Sequence, residues 1–287
     1  MGTFRPISVQ PAIVLISFAG FAPLTAQQSV SERFFAHNAE MTRLQPAFVT
    51  PLATSDPRII QYARIAVSSE YTPAHTQTVS YGNNRGAGIV AFQRFEFDWV
   101  PPSYIQHNSR AVNNGTIDGF GDTALAAKVR IASGNAEHGN FEISALLNHC
   151  FPTGSHTNGA ATGTYTPTLA FGYAFLRRWD AISTLGGTLP TGMIAKQGRT
   201  IAWNSLAQFH ATRLFWFELE NNSTFYFAGR HDGRMQNFLT PGAIFVARRK
   251  EWKPTHPFAI FGAGMQIATS GFHTYNHNTI AETRIIF

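Results

Sequence analysis

The stretch that decides the fold is Tyr165-Thr166-Pro167-Thr168-Leu169-Ala170-Phe171-Gly172-Tyr173-Ala174-Phe175. Its odd positions are large: Tyr165, Pro167, Leu169, Phe171, Tyr173 and Phe175. Its even positions are small or polar: Thr166, Thr168, Ala170, Gly172 and Ala174. A period of two is the signature of a strand, because successive side chains point to opposite faces. The pattern repeats outward in both directions. Leu125, Val129 and Ile131 oppose Lys128 and Arg130, Phe141, Ile143 and Leu147 oppose Glu142, Ser144 and Asn148, and Phe215, Phe217 and Leu219 oppose Glu218 and Glu220.

Read this way, the chain predicts twelve strands, at 58–69, 75–82, 88–99, 120–133, 140–151, 164–176, 179–190, 200–212, 215–226, 241–249, 257–268 and 279–287. Most have roughly the 9–11 residues of a tilted membrane strand. The connections alternate in length. Arg177-Arg178, Arg213-Leu214, Asn83–Ala87 and Gly134–Gly139 are short, whereas 100–119, 152–163, 191–199, 227–240 and 269–278 are long. Short turns at one end and long loops at the other are the habit of outer-membrane barrels. The expected fold is therefore all-β: a closed, antiparallel, up-and-down transmembrane barrel of about twelve strands over residues 58–287. The chain ends Ala281-Glu282-Thr283-Arg284-Ile285-Ile286-Phe287, and Ile285 and Phe287 fall on one face of this last strand as an assembly signal.

Composition agrees. Of 287 residues only 13% are charged, 25 are Phe and one is Cys, Cys150. A disordered, highly charged chain is excluded, as are a disulfide framework and a multi-cysteine metal site. The mean hydropathy of −0.10 is too polar for a bundle of membrane helices. The pI near 9.7 does not indicate nucleic acid, because the longest basic run is Arg248-Arg249-Lys250 and no recognition motif accompanies it.

The N-terminus has the form of an export signal. Arg5 precedes an apolar run from Pro11 to Leu24, too short to span a bilayer, and Leu24-Thr25-Ala26 is a cleavage box. Residues 1–26 are expected to be removed. The stretch 27–57 lacks the alternating pattern, and two readings of it are open: a periplasmic lead-in, or a partial plug folded into the lumen. Ser31 is placed to cap a short helix there.

On the inner face the pattern places polar candidates Arg94, Glu96, Asp98, Lys128, Arg130, Glu142, Asp180, Glu218 and Glu220, joined by Arg64, Arg248, Arg284 and Glu282. Cations and anions nearly balance. The set serves either as a salt-bridge ladder filling the lumen or as a polar pathway. No catalytic, cofactor or metal site is assigned. His273, Tyr275 and His277 alternate, and His231-Asp232 lies in another long loop, but loop histidines are ordinarily solvated. His107-Asn108-Ser109 has a hydrolase-like spacing without the orienting third group that a nucleophile needs.

Gly119-Phe120-Gly121-Asp122, then Lys128 and Arg130 on the same strand, then a strand ending Phe151-Pro152-Thr153-Gly154, resembles the outer-membrane transporters of the "meta-pathway of phenol degradation" family. The similarity covers Gly119 to Gly192. It implies an exported barrel in a Gram-negative outer membrane that passes small solutes, aromatic ones among them. The expected partners are outer-membrane lipid, the barrel assembly machinery and a small-molecule solute. The alternative is a non-conducting barrel with a structural or surface-binding role; an outer-membrane hydrolase is the lesser reading.

Overall fold

The computed structural model describes residues 30–108, 118–155, 157–247 and 257–287. Residues 1–29, with the expected export signal, and Arg248, Arg249 and Lys250 lie outside the described residues. A helix, α1 (Val30–Arg43), comes first. Strands follow: β1 (Tyr62–Tyr71), β2 (Gln77–Ala91), β3 (Phe95–Val100), β4 (Tyr104–Asn108), β5 (Gly119–Phe120), β6 (Thr123–Gly134), β7 (Phe141–Phe151), β8 (Thr164–Phe175) and β9 (Trp179–Pro190). After a single helical turn, α2 (Ile194–Gln197), come β10 (Thr200–His210), β11 (Phe215–Tyr226), β12 (Met235–Ala247), β13 (Phe258–Ala268) and β14 (His277–Ile286).

All pairings are antiparallel, and β1 pairs with both β2 and β14, so the sheet closes on itself. The closing seam runs in register from Tyr62↔Ile286 to Tyr71↔His277. The fourteen segments make twelve barrel strands. β3 and β4 both pair with β2 and are one strand interrupted at Pro101-Pro102, where two residues without an N–H cannot continue a ladder. β5 and β6 are likewise one strand interrupted at Gly121-Asp122. Among the described residues no helix is long and apolar enough to cross a membrane.

The outward face is apolar over its whole circumference. Ile89 is 58% exposed, Leu169 56% and Phe217 53%, with Trp99, Leu125, Leu147, Leu185, Trp203 and Phe261 similarly bare. A water-soluble protein does not leave a continuous apolar belt uncovered. A barrel in lipid does, and closure satisfies every strand edge.

Four expected boundaries shift. The first strand begins at Tyr62 rather than at 58. Asn83–Ala87 is not a turn: β2 runs through it, with a register irregularity against Arg64–Val67, and the chain reverses at Phe92–Arg94, where Phe92 takes φ 57°. The expected loop 100–119 contains β4 and β5. β12 begins at Met235 rather than 241, with Pro241 inside it opposite Leu219.

The twelve strands still alternate a turn end with a loop end. Turn-end connections include 92–94, 176–178 and 211–214; loop-end connections include 152–163, 191–199, 227–234 and 269–276. The connection 72–76 is short although it lies at the loop end.

Candidate functional site

The lumen is not lined with free polar groups. Residues 44–61, which follow α1 and carry no helix or strand up to Gln61, run inside the barrel, with Phe48, Val49, Leu52, Thr54, Asp56, Ile59 and Ile60 all buried. A chain without regular structure must find partners for its backbone groups elsewhere. Here the inward side chains of the strands supply them. Leu52 N donates to Glu218 Oε1 at 3.1 Å and Ala53 N to Glu220 Oε1 at 2.8 Å. Thr54 gives Glu220 Oε2 both its N–H, at 2.6 Å, and its hydroxyl, at 2.5 Å. On the carbonyl side, Arg64 donates to Leu52 O at 2.9 Å, and Arg284 donates to Pro51 O. Further along, Lys128 donates to Arg58 O at 2.9 Å, and Ile60 N donates to Glu96 Oε2 at 2.6 Å. Six inward charges, from β1, β3, β6, β11 and β14, thus hold the backbone of residues 51–60. Charge-assisted bonds of this kind are shorter and stronger than neutral ones.

The apolar side chains of the segment are seated as specifically. A Cβ on Gly242 or Gly262 would stand 2.5 Å from a methyl of Leu52, and one on Gly264 2.7 Å. Those glycines, on β12 and β13, form a bare pad that only the absence of side chains allows. Phe48 and Pro57 rest on Gly172 of β8 in the same way. Phe48 packs with Ile182 and Leu206, and Val49 with Trp216, Ile244, Val246 and Ile260. These are inward positions, where a water-filled lumen would favour polar residues; their apolar character matches the segment they cover.

The segment also organises itself. Arg58 Nη2 meets Asp56 Oδ2 at 2.6 Å. Burial pushes the Asp56 carboxyl up, but the Arg58 guanidinium outweighs it and holds the group below the ordinary carboxylate value. Gln45 closes the entry by bonding both Ile59 N, at 2.7 Å, and Ile59 O, at 2.8 Å.

The expected inward residues fall into distinct places. Glu96, Glu142 and Glu220 are 0% exposed, and Lys128, Arg130, Asp180 and Glu218 are also buried. Lys128 Nζ pairs with Glu96 Oε1 at 2.6 Å, and Arg130 Nε with Glu142 Oε1 at 2.8 Å. Arg64 and Arg284 both pair with Glu282. Asp98 forms no ion pair among the described residues and borders a polar cavity of about 120 Å³ with Tyr62, Arg64 and Arg284. Arg94 is not inward: it stands exposed in the turn after β2. The Phe287 N–H donates to Gln61 O at 3.0 Å, and Ile285 faces outward, 42% exposed.

Above the segment, towards the loop end, the wall changes character. Thr184, Asn204, Asn222, Thr240, Gln266 and Asn278 come from six successive strands, β9 to β14. Asn204 bonds Thr184 at 3.1 Å and Asn222 at 3.2 Å, Thr240 bonds Asn222 at 3.1 Å, and Asn278 bonds Gln266 at 3.0 Å. This belt carries no charge.

The loop at 152–163 is pinned by the motif that carried the family resemblance. Asp122, at the break between β5 and β6, accepts from Gly154 N at 2.7 Å and Ala160 N at 2.6 Å. Gly154 and Gly159 face each other so closely that a Cβ on either would meet the other's backbone. The Gly-Asp and Pro-Thr-Gly sequences are thus two halves of one latch. His107 Nε2 shares a hydrogen bond of 2.7 Å with Asn158 on the same loop, while its expected companion Ser109 lies outside the described residues. His273 is held by Ser270 O and Asn276, and His277 stacks on Tyr71. Among the described residues no cluster of three or more metal-type ligands exists.

In solved structures the barrel is similar to an outer-membrane channel from Pseudomonas putida F1, with a TM-score of 0.55 at 11% identity over 84% of this chain and 97% of that one. The NanC porin aligns over 78% of this chain and 98% of its own at 8% identity, with a TM-score of 0.49. The first likeness concerns the fold alone. No curated protein sequence matches the chain. Residues 75–216, which span the Asp122 latch, match the family described as "Putative MetA-pathway of phenol degradation", the family that the Gly119–Gly192 motifs resemble.

Proposed function

We propose that the protein is an outer-membrane channel closed at its turn half by residues 44–61, and that it passes small uncharged solutes when this segment withdraws. The observation that carries the reading is the seating of Leu52 on Gly242, Gly262 and Gly264 beneath the grip of Glu218 and Glu220 on the backbone. Six of the inward charges are engaged with that backbone and Arg130 with Glu142, so these do not form a free ion pathway. The loop half of the wall is lined mainly by the neutral amide belt, with the Glu70 carboxylate of β1 opposite Asn278 at its edge. The family's description names a pathway of phenol degradation, and small aromatic solutes are the class this reading favours. The alternating exposed strand Ala281–Phe287, with Ile285 and Phe287, supports recognition by the barrel assembly machinery during insertion.

A non-conducting barrel draws support from the same occupied lumen, and conductance separates the two readings. In planar bilayers the full chain should show rare openings, and a chain lacking residues 30–57 should show a steady pore. A silent truncated barrel, shown to be folded by heat-modifiable gel mobility, would establish the non-conducting reading.

A further inference from the structure

Among the described residues the inner wall holds more carboxylates than cations. The six inward charges that grip residues 51–60 are three carboxylates, Glu96, Glu218 and Glu220, and three cations, Arg64, Lys128 and Arg284. Arg130 is matched by Glu142. Four inward carboxylates are then left without a strand cation to balance them: Glu70, Asp98, Asp180 and Glu282. Glu282 shares Arg64 and Arg284, which the three gripping carboxylates already match in number. Glu70, Asp98 and Asp180 form no ion pair among the described residues. The near balance expected from the sequence is lost because Arg94 stands in a turn and Glu70 faces inward, between Asn278 of β14 and Thr78 of β2.

The excess extends along the lumen. Glu70 lies at the loop end of β1 and Asp180 at the turn end of β9, with Asp98 and Glu282 beside Arg64 and Arg284 between them. Withdrawal of residues 44–61 removes Asp56 and Arg58, a neutral pair, so the excess on the wall is unchanged. The whole chain carries a formal charge of +6, but its turn and loop arginines, such as Arg177, Arg178, Arg213, Arg230 and Arg234, stand exposed, where water and salt screen them. Charge on the low-dielectric wall of a narrow passage is focused instead, and carboxylates lining a pore favour cations. We infer that the lumen selects by charge: beside neutral solutes it admits cations, potassium and organic ammonium ions among them, and it turns away carboxylates and other anions. This inference rests on the channel reading and adds to it which charged solutes can follow the uncharged ones.

The test uses the full mature chain carrying Leu52→Ala, in which loss of the Leu52 seat should make openings more frequent. In planar bilayers under a tenfold potassium chloride gradient, from about 0.01 to 0.1 M, the reversal potential should give a potassium-to-chloride permeability ratio of about five or more. Glu70→Gln/Asp98→Asn/Asp180→Asn removes three of the four unmatched carboxylates without touching the grip or an ion pair, and should bring the ratio below about two. Heat-modifiable mobility confirms the folded barrel. A ratio near or below one in the parent, or one unchanged by the three substitutions, would overturn the inference. A second measurement needs no conduction. In a Cys150→Ser background without Leu52→Ala, Thr78→Cys beside Glu70 should react about fivefold faster with trimethylammonium-ethyl methanethiosulfonate than with the sulfonatoethyl reagent, relative to the same two rates at Gly271→Cys on an exposed loop, and Glu70→Gln should erase most of that preference. This preference in a barrel that never opens would refute conduction while upholding the negative wall; equal relative rates would overturn the wall itself.

Discussion

Leu52→Ala isolates the seating of the lumen segment from the folding of the barrel, because Leu52 takes no part in the strand ladder. Truncating a buried leucine costs about 2–5 kcal/mol in a packed interior. Leu52 lies on a segment without helix or strand that can settle around the truncation, so the lower figure is the appropriate one. About 2 kcal/mol at 1.4 kcal/mol per factor of ten shifts the seated and withdrawn populations by roughly 30-fold. The reporter is maleimide labelling of Ala53→Cys in a Cys150→Ser background, whose rate follows the withdrawn fraction. Gly262→Ala provides the decisive partner. Its Cβ would stand 2.5 Å from Leu52 Cδ2, while the other methyl is blocked by the pad at Gly242 and Gly264, so rotation of Leu52 gives no escape. Gly262→Ala alone should therefore speed labelling. Combined with Leu52→Ala, its methyl group enters space already vacated, and the double variant should label no faster than Leu52→Ala. Contacting residues are non-additive in this way, by about 0.5–3 kcal/mol. Additive effects, or no change in labelling with Leu52→Ala, would show that Leu52 does not hold the segment on this pad.

Other expectations follow from the same geometry. Leu147→Arg should lower folding yield in lipid by about 2–4 kcal/mol near mid-bilayer, whereas inward Ser144→Ala should not; equal yields would reverse the assigned faces. Asp122→Ala removes the acceptor of Gly154 N and Ala160 N, at about 1–3 kcal/mol per orphaned group. Protease should then cut the 152–163 loop in intact cells, and an unchanged digestion pattern would mean that the latch lies elsewhere. Burial raises the Asp56 carboxyl, but Arg58 of the same segment holds it below its ordinary value of about 4, so the contribution of this pair is complete above that value and is lost as pH falls through the lower one. The Ala53→Cys labelling rate, divided at each pH by that of a cysteine exposed on a loop, should be constant from about pH 5 to 8, and Asp56→Asn should raise the ratio across that range. Identical rates for the two proteins at neutral pH would contradict the role of the Arg58 pair.

The barrel was legible because lipid on one face and packed interior on the other impose a period of two on every strand. Leu169 and Phe171 against Ala170 and Gly172 state it directly. The misplaced turn at Asn83–Ala87 shows where local signals mislead. Asn-Asn and Gly suggest a reversal, yet the pairing of β2 with β1 and β3 carries the strand through, and the actual turn at Phe92-Gln93-Arg94 has no glycine, proline or asparagine. The prolines misled for the opposite reason: Pro101-Pro102 interrupts a strand that resumes at Tyr104, and Pro241 lies inside a strand that its neighbours hold on both sides.

The fate of residues 44–61 was not legible from their own sequence. Their partners Glu218, Glu220 and Arg284 lie more than 150 residues away, and backbone groups carry no sequence signature. A trace was nonetheless present. Ile182, Leu206, Ile244, Val246 and Ile260 occupy inward positions, and Gly242, Gly262 and Gly264 cluster on adjacent strands. An apolar inner patch with a glycine pad is an unlined socket, which the expectation of a polar inner face passed over. Arg94 failed as an inward residue because the turn shift moved it out of a strand.

The most direct measurement is disulfide formation between Thr54→Cys and Asn222→Cys in a Cys150→Ser background, in isolated outer membranes under mild oxidation. Thr54 Oγ1 and Asn222 Nδ2 lie 3.4 Å apart across the lumen, whereas Leu219 points away on the outer face of the same strand. Residues 44–61 seated inside the barrel predict a dominant 54–222 bridge and none between Thr54→Cys and Leu219→Cys. Failure of the 54–222 bridge to form, or equal bridging to both positions, would contradict the account.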